Sequence, residues 1–308
     1  RVERREGRLL KPYVPLGTGT YPAGNPRLYT DYGLLSANPE IGNDVHKFFQ
    51  QLTGMGLAEH LEHLFCAPFT LQARLLALID QEIAAAQRGK PARIIFKANG
   101  LTDATVIQAL YSASSAGVQV DLIIRGMCCL RPGVPGVSDR IRVVSIIGRF
   151  LEHSRVYYFH NASPAIYCAS ADLMERNLRN RLEIAFPLLD PRAAQRAIGE
   201  LETLLADNLQ SWELHSDGSY RRNQPQPEEQ ARCAQLQLLQ QLADRGVLAS
   251  IIPTARPGSP GPDNRIPGSV PLRSTGGDRA SHRETGVDRC PVPRRNARPG
   301  RHPAAMRT

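Results

Sequence analysis

The sequence is poor in features that mark several large classes of protein. It has one tryptophan and only 6% aromatic residues, and no apolar run reaches the ~18–20 residues that a membrane span needs. We therefore expect no integral membrane segment. The six cysteines have no regular spacing, so we expect buried thiols in a reducing compartment and no disulfide framework. The chain begins at Arg1 without a cationic and apolar leader, so we expect a fragment of a longer protein with no secretory signal.

The composition is otherwise that of a globular protein. Hydrophobic residues make up 42% and charged residues 22% of the 308 residues, which excludes a wholly disordered chain and a coiled coil. This length allows about two domains.

The positive charge is unevenly distributed. The net charge is +9, and the last 63 residues hold eleven arginines against four acids, together with ten prolines, eight glycines and no aromatic residue. Such a segment cannot bury enough apolar surface to offset its ordering entropy. We favour a disordered, out-of-frame terminus over residues 246–308, in preference to an RNA-binding arm, and expect no nucleic-acid partner.

The middle of the chain alternates between helical and strand patterns. Apolar spacing predicts helices over 71–87, 103–116 and 193–209, the second beginning at Asp103 as a capping residue and ending at Gly117. Short apolar segments predict strands at 92–97, 118–124, 142–147, 154–159, 165–169 and 182–186. This alternation predicts an α/β fold with a mixed, largely parallel sheet.

Candidate site residues follow the predicted strands, where open α/β sheets bind ligands. Lys97 and Asn99 follow one strand, and alternation would place both on one face. Arg125 ends the next strand beside Gly126, which suits a phosphate fork, although an arginine reaching the surface is an equally good interpretation.

A second group centres on His153 and Arg155, which strand geometry places on the same side. A proton-carrying imidazole beside a fixed cation fits phosphoryl chemistry. Asp172 and Arg176 are supporting candidates, with a simple helix cap as the alternative role for Asp172.

Two further motifs carry weaker signals. Gly17-Thr18-Gly19 could present backbone amides to a phosphate, but no helix follows directly. His60 and His63 have metal-ligand spacing with Cys66, but the position near a domain boundary disfavours zinc, and we expect no metal site here.

Longer stretches together resemble one enzyme family. The chain is similar, over about residues 1–244, to the C-terminal half of the histidine-phosphorylated bacterial polyphosphate kinases. The matching stretches are LGTGTY (16–21), RLYTDYGLL (27–35), APFTLQARLLALIDQEI (67–83), RGMCCLRPGVPGVSDRIRVVSIIGRFLEHSRVYYFHN (125–161), SADLMERNLRNRLEIAFP (170–187) and SWELHSDGSYRR (211–222).

The resemblance implies a phospholipase D-like sandwich and Mg²⁺-dependent, reversible transfer of the terminal phosphate of ATP to polyphosphate through a phosphohistidine. It implies that His153 is the second catalytic histidine and that Tyr29, Arg125 and His153 contact ATP, while the nucleophilic histidine and the Mg²⁺ ligands lie upstream of Arg1. It also implies a cytoplasmic homo-oligomer, with a peripheral position at the inner membrane face as one option.

The same resemblance suggests domain limits and shows departures from the family. We expect a first catalytic domain, incomplete at its start, over 1–58, a second over 59–224, a short terminal helix over 225–245 and the tail. Pro15, Thr20 and Leu173 stand where the family usually has His, Asn and Trp, and Pro15 is expected to disturb its strand.

Two other functions stay open. The chain could be a non-catalytic remnant that binds polyanions or nucleotides, or, less in keeping with the matching stretches, a phospholipase D-like phosphodiesterase. Because the resemblance places the nucleophilic histidine upstream of Arg1, we expect the isolated chain to be inactive. This expectation raises the first alternative.

Overall fold

The computed structural model describes residues 2–6, 9–19, 28–54 and 60–244. The predicted disordered tail and Thr20 lie outside these residues. The strands are β1 (Val2–Glu6), β2 (Leu9–Gly17), β3 (Tyr29–Thr30), β4 (Gly33–Ser36), β5 (Phe65–Ala67), β6 (Arg93–Ala98), β7 (Gln119–Ile124), β8 (Ile141–Ile146), β9 (Leu151–Glu152), β10 (Arg155–Phe159), β11 (Ile166–Ala169), β12 (Glu183–Pro187), β13 (Ser211–Leu214) and β14 (Tyr220–Arg222). The helices are α1 (Pro39–Leu52), α2 (Leu71–Gln87), α3 (Ala104–Ser115), α4 (Glu175–Arg179), α5 (Pro191–Leu205) and α6 (Ala234–Asp244).

A nine-stranded sheet, in the order β14-β13-β8-β7-β6-β10-β11-β12-β5, organises most of the described residues. The α/β class and the mixed sheet are confirmed, but the parallel share is smaller than predicted. Only β6–β7 and β7–β8 pair in parallel, while the other six pairings are antiparallel. Helix α3 lies in the crossover between the parallel strands β6 and β7. By contrast, residues 160–165 alone connect β10 to β11, which is shorter than the dozen or so residues that a parallel connection needs, so these two strands run antiparallel.

Helices cover both faces of this sheet. Alternate residues of β6 belong to different cores: Ile94 and Phe96 pack with α2 and α3, and Ile95 packs with residues of α1 and α5. The strand segments are therefore apolar on both sides, which explains their near-continuous hydrophobic character in the sequence.

Local signals in the sequence set the helix starts. Asn38 caps α1 by accepting hydrogen bonds from the backbone amides of Glu40 and Ile41, at 2.8 and 3.1 Å. Asp103 caps α3 by accepting from the amide of Val106 at 3.0 Å, as predicted. None of the helices in the described ranges is both long and apolar enough to cross a membrane.

Residues 2–36 contribute two smaller sheets. Strands β1, β2 and β4 form a three-stranded antiparallel sheet, and Pro15 lies in the middle of β2, paired with Leu35 of β4. We expected Pro15 to disturb β2. This prediction is wrong for the pairing of β2 with β4, which continues on both sides of Pro15. Strand β3 pairs in parallel with β9, and this pairing joins the first part of the chain to the residues around His153.

The cysteines agree in part with their predicted role. Among the described residues all five are free, and burial raises the pKa of Cys66 and Cys168 to about 12. Cys129, however, is exposed, because it lies in the loop after β7 rather than in a strand.

Candidate active site

His153 lies between β9 and β10, at the edge where β6 and β7 also end. Its Nδ1 is 2.8 Å from Oδ2 of Asp31, whose side chain is only 6% exposed. The hydroxyl of Thr18 donates to the other oxygen of Asp31 at 2.7 Å. A carboxylate on Nδ1 fixes the orientation of an imidazole and leaves Nε2 as the nitrogen that can exchange a proton with a ligand.

Asp31 can approach this position because Gly19 has no side chain. A Cβ atom at residue 19 would overlap the Asp31 carboxylate. The Gly-x-Gly motif was considered above as a phosphate loop. The structure gives it a different role: Gly19 leaves room for the carboxylate of Asp31, and the hydroxyl of Thr18 binds that carboxylate.

Arg155 connects His153 to Asp172. Its Nη1 lies 3.4 and 3.3 Å from the two ring nitrogens of His153 and donates to the carbonyl of Thr18 at 3.0 Å. Its Nε and Nη2 donate to the two oxygens of Asp172, at 3.2 and 3.0 Å. Both side chains of this pair are 11% exposed, so the fork is held away from solvent.

Asp172 has a structural role different from the helix cap considered above. Besides binding Arg155, it accepts a hydrogen bond from the backbone amide of Asn99 at 2.7 Å, while the N-cap position of α4 is occupied by Met174. Asp172 therefore fixes the end of β6 and the guanidinium of Arg155 at the same time.

Asn99 links Arg125 to His153. Its side-chain oxygen accepts from Nε of Arg125 at 2.9 Å, and its Nδ2 donates to the carbonyl of His153 at 3.3 Å. A Cβ atom at Gly126 would lie 2.7 Å from the carbonyl oxygen of Asn99, so glycine allows the two strand ends to come together. With Nε anchored, the two terminal nitrogens of Arg125 have no hydrogen-bond partner among the described residues and can bind oxyanions.

Lys97 binds the residues on either side of His153. Its side chain is 3% exposed, and Nζ donates to Oγ of Ser154 at 2.6 Å and lies 3.1 Å from Oε2 of Glu152. Because β6 ends at Ala98, strand alternation does not extend to Asn99, and the prediction that Lys97 and Asn99 occupy one face stays a prediction. Both side chains bind the segment 153–154, and Lys97 also lines a cavity beside Tyr29.

Burial and charge oppose each other in the Lys97–Glu152 pair. Burial lowers the pKa of Lys97, and the carboxylate of Glu152 partly offsets that effect. Burial alone would raise the pKa of Glu152, but the charge of Lys97 and hydrogen bonds from Gln235 and Thr30 bring it below its usual value.

Tyr29 is held beside His153 by the pairing of β3 with β9. The ring centroids of the two residues are 5.0 Å apart, with 42° between their planes. A cavity of about 320 Å³ opens next to them, and Tyr29, Asp31, Lys97 and Phe150 contribute to its wall. The Tyr29 ring and the imidazole of His153 therefore lie side by side, and Asn99 connects the backbone of His153 to the guanidinium of Arg125. His153 and Arg125 do not line the cavity themselves.

Comparison with known proteins identifies the family. The model of polyphosphate kinase C-terminal domain 1 matches residues 1–58, and that of polyphosphate kinase C-terminal domain 2 matches residues 64–235. A polyphosphate kinase of Pseudomonas aeruginosa is 54% identical over 243 residues, covering 79% of this chain and 35% of that protein. One from Thermosynechococcus vestitus is 53% identical over 232 residues, covering 75% of this chain and 32% of that protein.

The chain belongs to the polyphosphate kinase family. The crystal structure of polyphosphate kinase from Porphyromonas gingivalis also aligns with it, with a TM-score of 0.74 and 35% identity, over 80% of this chain and 38% of that one. The chain thus spans about a third of the length of the curated polyphosphate kinases that it matches.

The other sequence candidates lie apart from this cluster. Arg176 is exposed on α4, and its side chain makes no hydrogen bond or ion pair with the described residues. His63 binds Glu40 through Nε2 at 2.9 Å, and within the described ranges no group of three or more His, Cys, Asp or Glu side chains could hold a metal ion. Leu173, one of the expected departures from the family, is fully buried and pairs with Leu101.

Sequence reasoning missed the buried partners of this site. Glu152 and Ser154 are next to His153, and Asp31 is close to Tyr29, but nothing local marks these three residues as partners of His153 or Lys97. The spacing of two residues between Tyr29 and Asp31 is the one sequence signal that connects Asp31 to the site.

Proposed function

We propose that this chain supplies one half of a site that reversibly transfers the terminal phosphate of ATP to polyphosphate through a phosphohistidine. Membership of the polyphosphate kinase family supports this proposal at the level of the reaction class. The observation that carries it at the level of residues is the His153–Asp31 pair, 2.8 Å apart, with Tyr29 on one side and Arg155 on the other.

In this proposal His153 moves a proton and is not the nucleophile. Asp31 holds Nδ1, so Nε2 can donate a proton to, or accept one from, the phosphoryl group or its acceptor. The nucleophilic histidine of the family lies in a His-x-Lys element, and the 308 residues contain no such element. The chain on its own is therefore proposed not to form the phosphohistidine.

Arg125 and Tyr29 are proposed to bind the nucleotide. The terminal nitrogens of Arg125 would fork onto phosphate oxygens, because Asn99 holds Nε at 2.9 Å and fixes the plane of the guanidinium. The Tyr29 ring would stack on the adenine, which needs an aromatic face and no hydrogen bond to the base.

Magnesium does not fit the acids described here. The carboxylates of Asp31, Glu152 and Asp172 are each bound to a cationic or imidazole side chain, and the described residues hold no acidic cluster suited to a metal. A Mg²⁺ ion in this reaction would need ligands from other residues or from the nucleotide, so we derive no step through it. Homo-oligomer formation and cytoplasmic location stay predictions.

A chimera provides the test. The upstream portion of the Pseudomonas aeruginosa relative, joined to residues 1–244 of this chain, is expected to make polyphosphate from MgATP and to form an acid-labile phosphohistidine. The 308-residue chain alone is expected to bind MgATP without becoming labelled by γ-³²P-ATP. A chimera that folds and stays inactive, while the chain binds MgATP, would favour the non-catalytic nucleotide-binding remnant. Labelling of the chain alone would contradict the proposed role of the upstream histidine.

A further inference from the structure

The carboxylate of Glu152 joins three segments of the chain around His153. Its Oε2 accepts the hydroxyl of Thr30 at 2.9 Å and lies 3.1 Å from Nζ of Lys97. Lys97 in turn donates to Oγ of Ser154 at 2.6 Å, and the amide of Ser154 donates to the carbonyl of Thr30 at 2.8 Å. One buried carboxylate thus sets the distance between β3, which carries Tyr29, and the His153 segment.

The second oxygen of Glu152 is bound from the far end of the described chain. Nε2 of Gln235, in the first turn of α6, donates to Oε1 of Glu152 at 2.8 Å and to the carbonyl of Phe150 at 2.9 Å. Its Oε1 accepts the amide of Phe150 at 3.0 Å. Gln235 is 5% exposed, so its side-chain amide binds the residues before His153 and is shielded from solvent.

The loop between β8 and β9 is shaped for this contact. A Cβ atom at Gly148 would overlap the side-chain amide of Gln235. Glycine at residue 148 therefore lets the side chain of Gln235 reach Phe150 and Glu152.

We propose that Gln235 is a positioning residue, which acts through Glu152 to hold the His153 segment and β3, with Asp31 directly after it, at the distance that the His153–Asp31 pair requires. A hydrogen bond to a buried charge contributes more than one between neutral groups, and its removal leaves the carboxylate oxygen without a partner. Helix α6, which contributes no ligand-binding side chain in the proposed function, would then be part of the site. The importance of this positioning for catalysis rests on the proposed function. The proposal that Gln235 orients His153 does not.

The test replaces Gln235 by Met, which keeps the length of the side chain and removes its donors and its acceptor. Gln237→Met is the matched control, since Gln237 is exposed on the same helix. In the 308-residue chain, long-range ¹H–¹⁵N spectra report the ring nitrogens of His153, assigned by comparison with His153→Gln. We expect Gln235→Met to move these signals toward those of a tautomer mixture, and Gln237→Met to leave them in place.

Affinity for MgATP, measured by calorimetry, is the second measurement. We expect a loss of about tenfold for Gln235→Met, the size expected for one hydrogen bond to a buried charge, and no change for Gln237→Met. If the wild-type chain binds no MgATP, the proposed function is contradicted, and the His153 signals still decide the positioning role.

A second variant covers the case in which Gln235→Met does not fold. Thr30→Val keeps the shape of the side chain and removes both the other neutral donor to Glu152 and the oxygen that accepts the amide of His153 at 3.4 Å, so it is expected to shift the His153 signals at least as much as Gln235→Met. Folded Gln235→Met or Thr30→Val protein, with His153 signals identical to wild type, would overturn the proposal.

Discussion

Among the arginine–carboxylate pairs of the nine-stranded sheet, two of similar composition lie in very different surroundings. Arg142 of β8 binds Glu213 of β13 at 3.4 Å, with side chains 36% and 35% exposed. Arg155 of β10 forks onto Asp172 with both side chains 11% exposed, and its Nη1 also lies within 3.4 Å of both ring nitrogens of His153.

The difference lies in what surrounds each pair. Solvent screens the Arg142–Glu213 pair, so its contribution to the free energy of unfolding is small. The Arg155–Asp172 pair has lost its hydration, and neighbouring groups satisfy its remaining hydrogen bonds. A desolvated pair that ends on an imidazole is therefore a better indicator of a site than a strand arginine with a nearby acid.

The largest expected effect concerns proton transfer by His153, the residue that the buried Arg155–Asp172 pair contacts. His153→Gln in the chimera keeps a polar side chain of similar size but cannot exchange a proton near neutral pH, so kcat for polyphosphate synthesis is expected to fall about 10²–10⁴-fold. MgATP affinity is expected to change little. His160→Gln, at an exposed position six residues past Ser154, is the control. Near-normal turnover of His153→Gln would make His153 a structural residue.

The next prediction concerns the buried pair itself. Arg155→Met leaves the charge of Asp172 without a partner, which is expected to lower the free energy of unfolding of the 308-residue chain by about 3–5 kcal/mol. Urea unfolding followed by circular dichroism measures this. The double variant Arg155→Met/Asp172→Leu removes both charges and is expected to recover a large part of the loss. Equal stability of the single variant and wild type would show that the pair is not desolvated in solution.

A smaller effect is expected at Arg125, on the same edge of the sheet. Arg125→Lys keeps the charge but loses both the planar fork and the Nε that Asn99 binds, so MgATP affinity is expected to fall about tenfold. Arg131→Lys is the control, because Arg131 is exposed and its guanidinium binds the carbonyl of Ser216. Unchanged affinity in Arg125→Lys would mean that Arg125 acts only as a charge or lies outside the nucleotide site.

The features that the sequence predicted correctly are those that depend on local patterns. The strand segments, the Asp103 cap and the positions of Asn99 and Arg125 at strand ends followed from apolar periodicity and from the rule that ligands bind at the carboxyl ends of strands. The prediction that His153 and Arg155 share a side agrees with their contact in the structure. These inferences depend only on residues close in sequence or on neighbouring strands.

The rest depended on long-range pairing. Asp31 reaches His153 across 122 positions, and Gln235 reaches Glu152 across 83. No local pattern distinguishes such acids from solvated ones, and the burial of Lys97 could not be read from β6 alone. The antiparallel order of β10, β11 and β12 was missed for the same reason, since periodicity reports burial and not strand direction.

The smallest effect is expected for the exposed Arg142–Glu213 pair, which is the other half of the comparison. Arg142→Met removes the partner of Glu213, but water can solvate the freed carboxylate, so the free energy of unfolding is expected to fall by less than about 1 kcal/mol. The same urea measurement applies, with Glu213→Gln as a second way to break the pair. Raising the salt concentration is expected to shrink the Arg142→Met effect further and to change the Arg155→Met effect much less, because screening acts on exposed charges. A loss for Arg142→Met as large as that for Arg155→Met would mean that exposure does not separate the two pairs, and the inference from desolvation to function would fail with it.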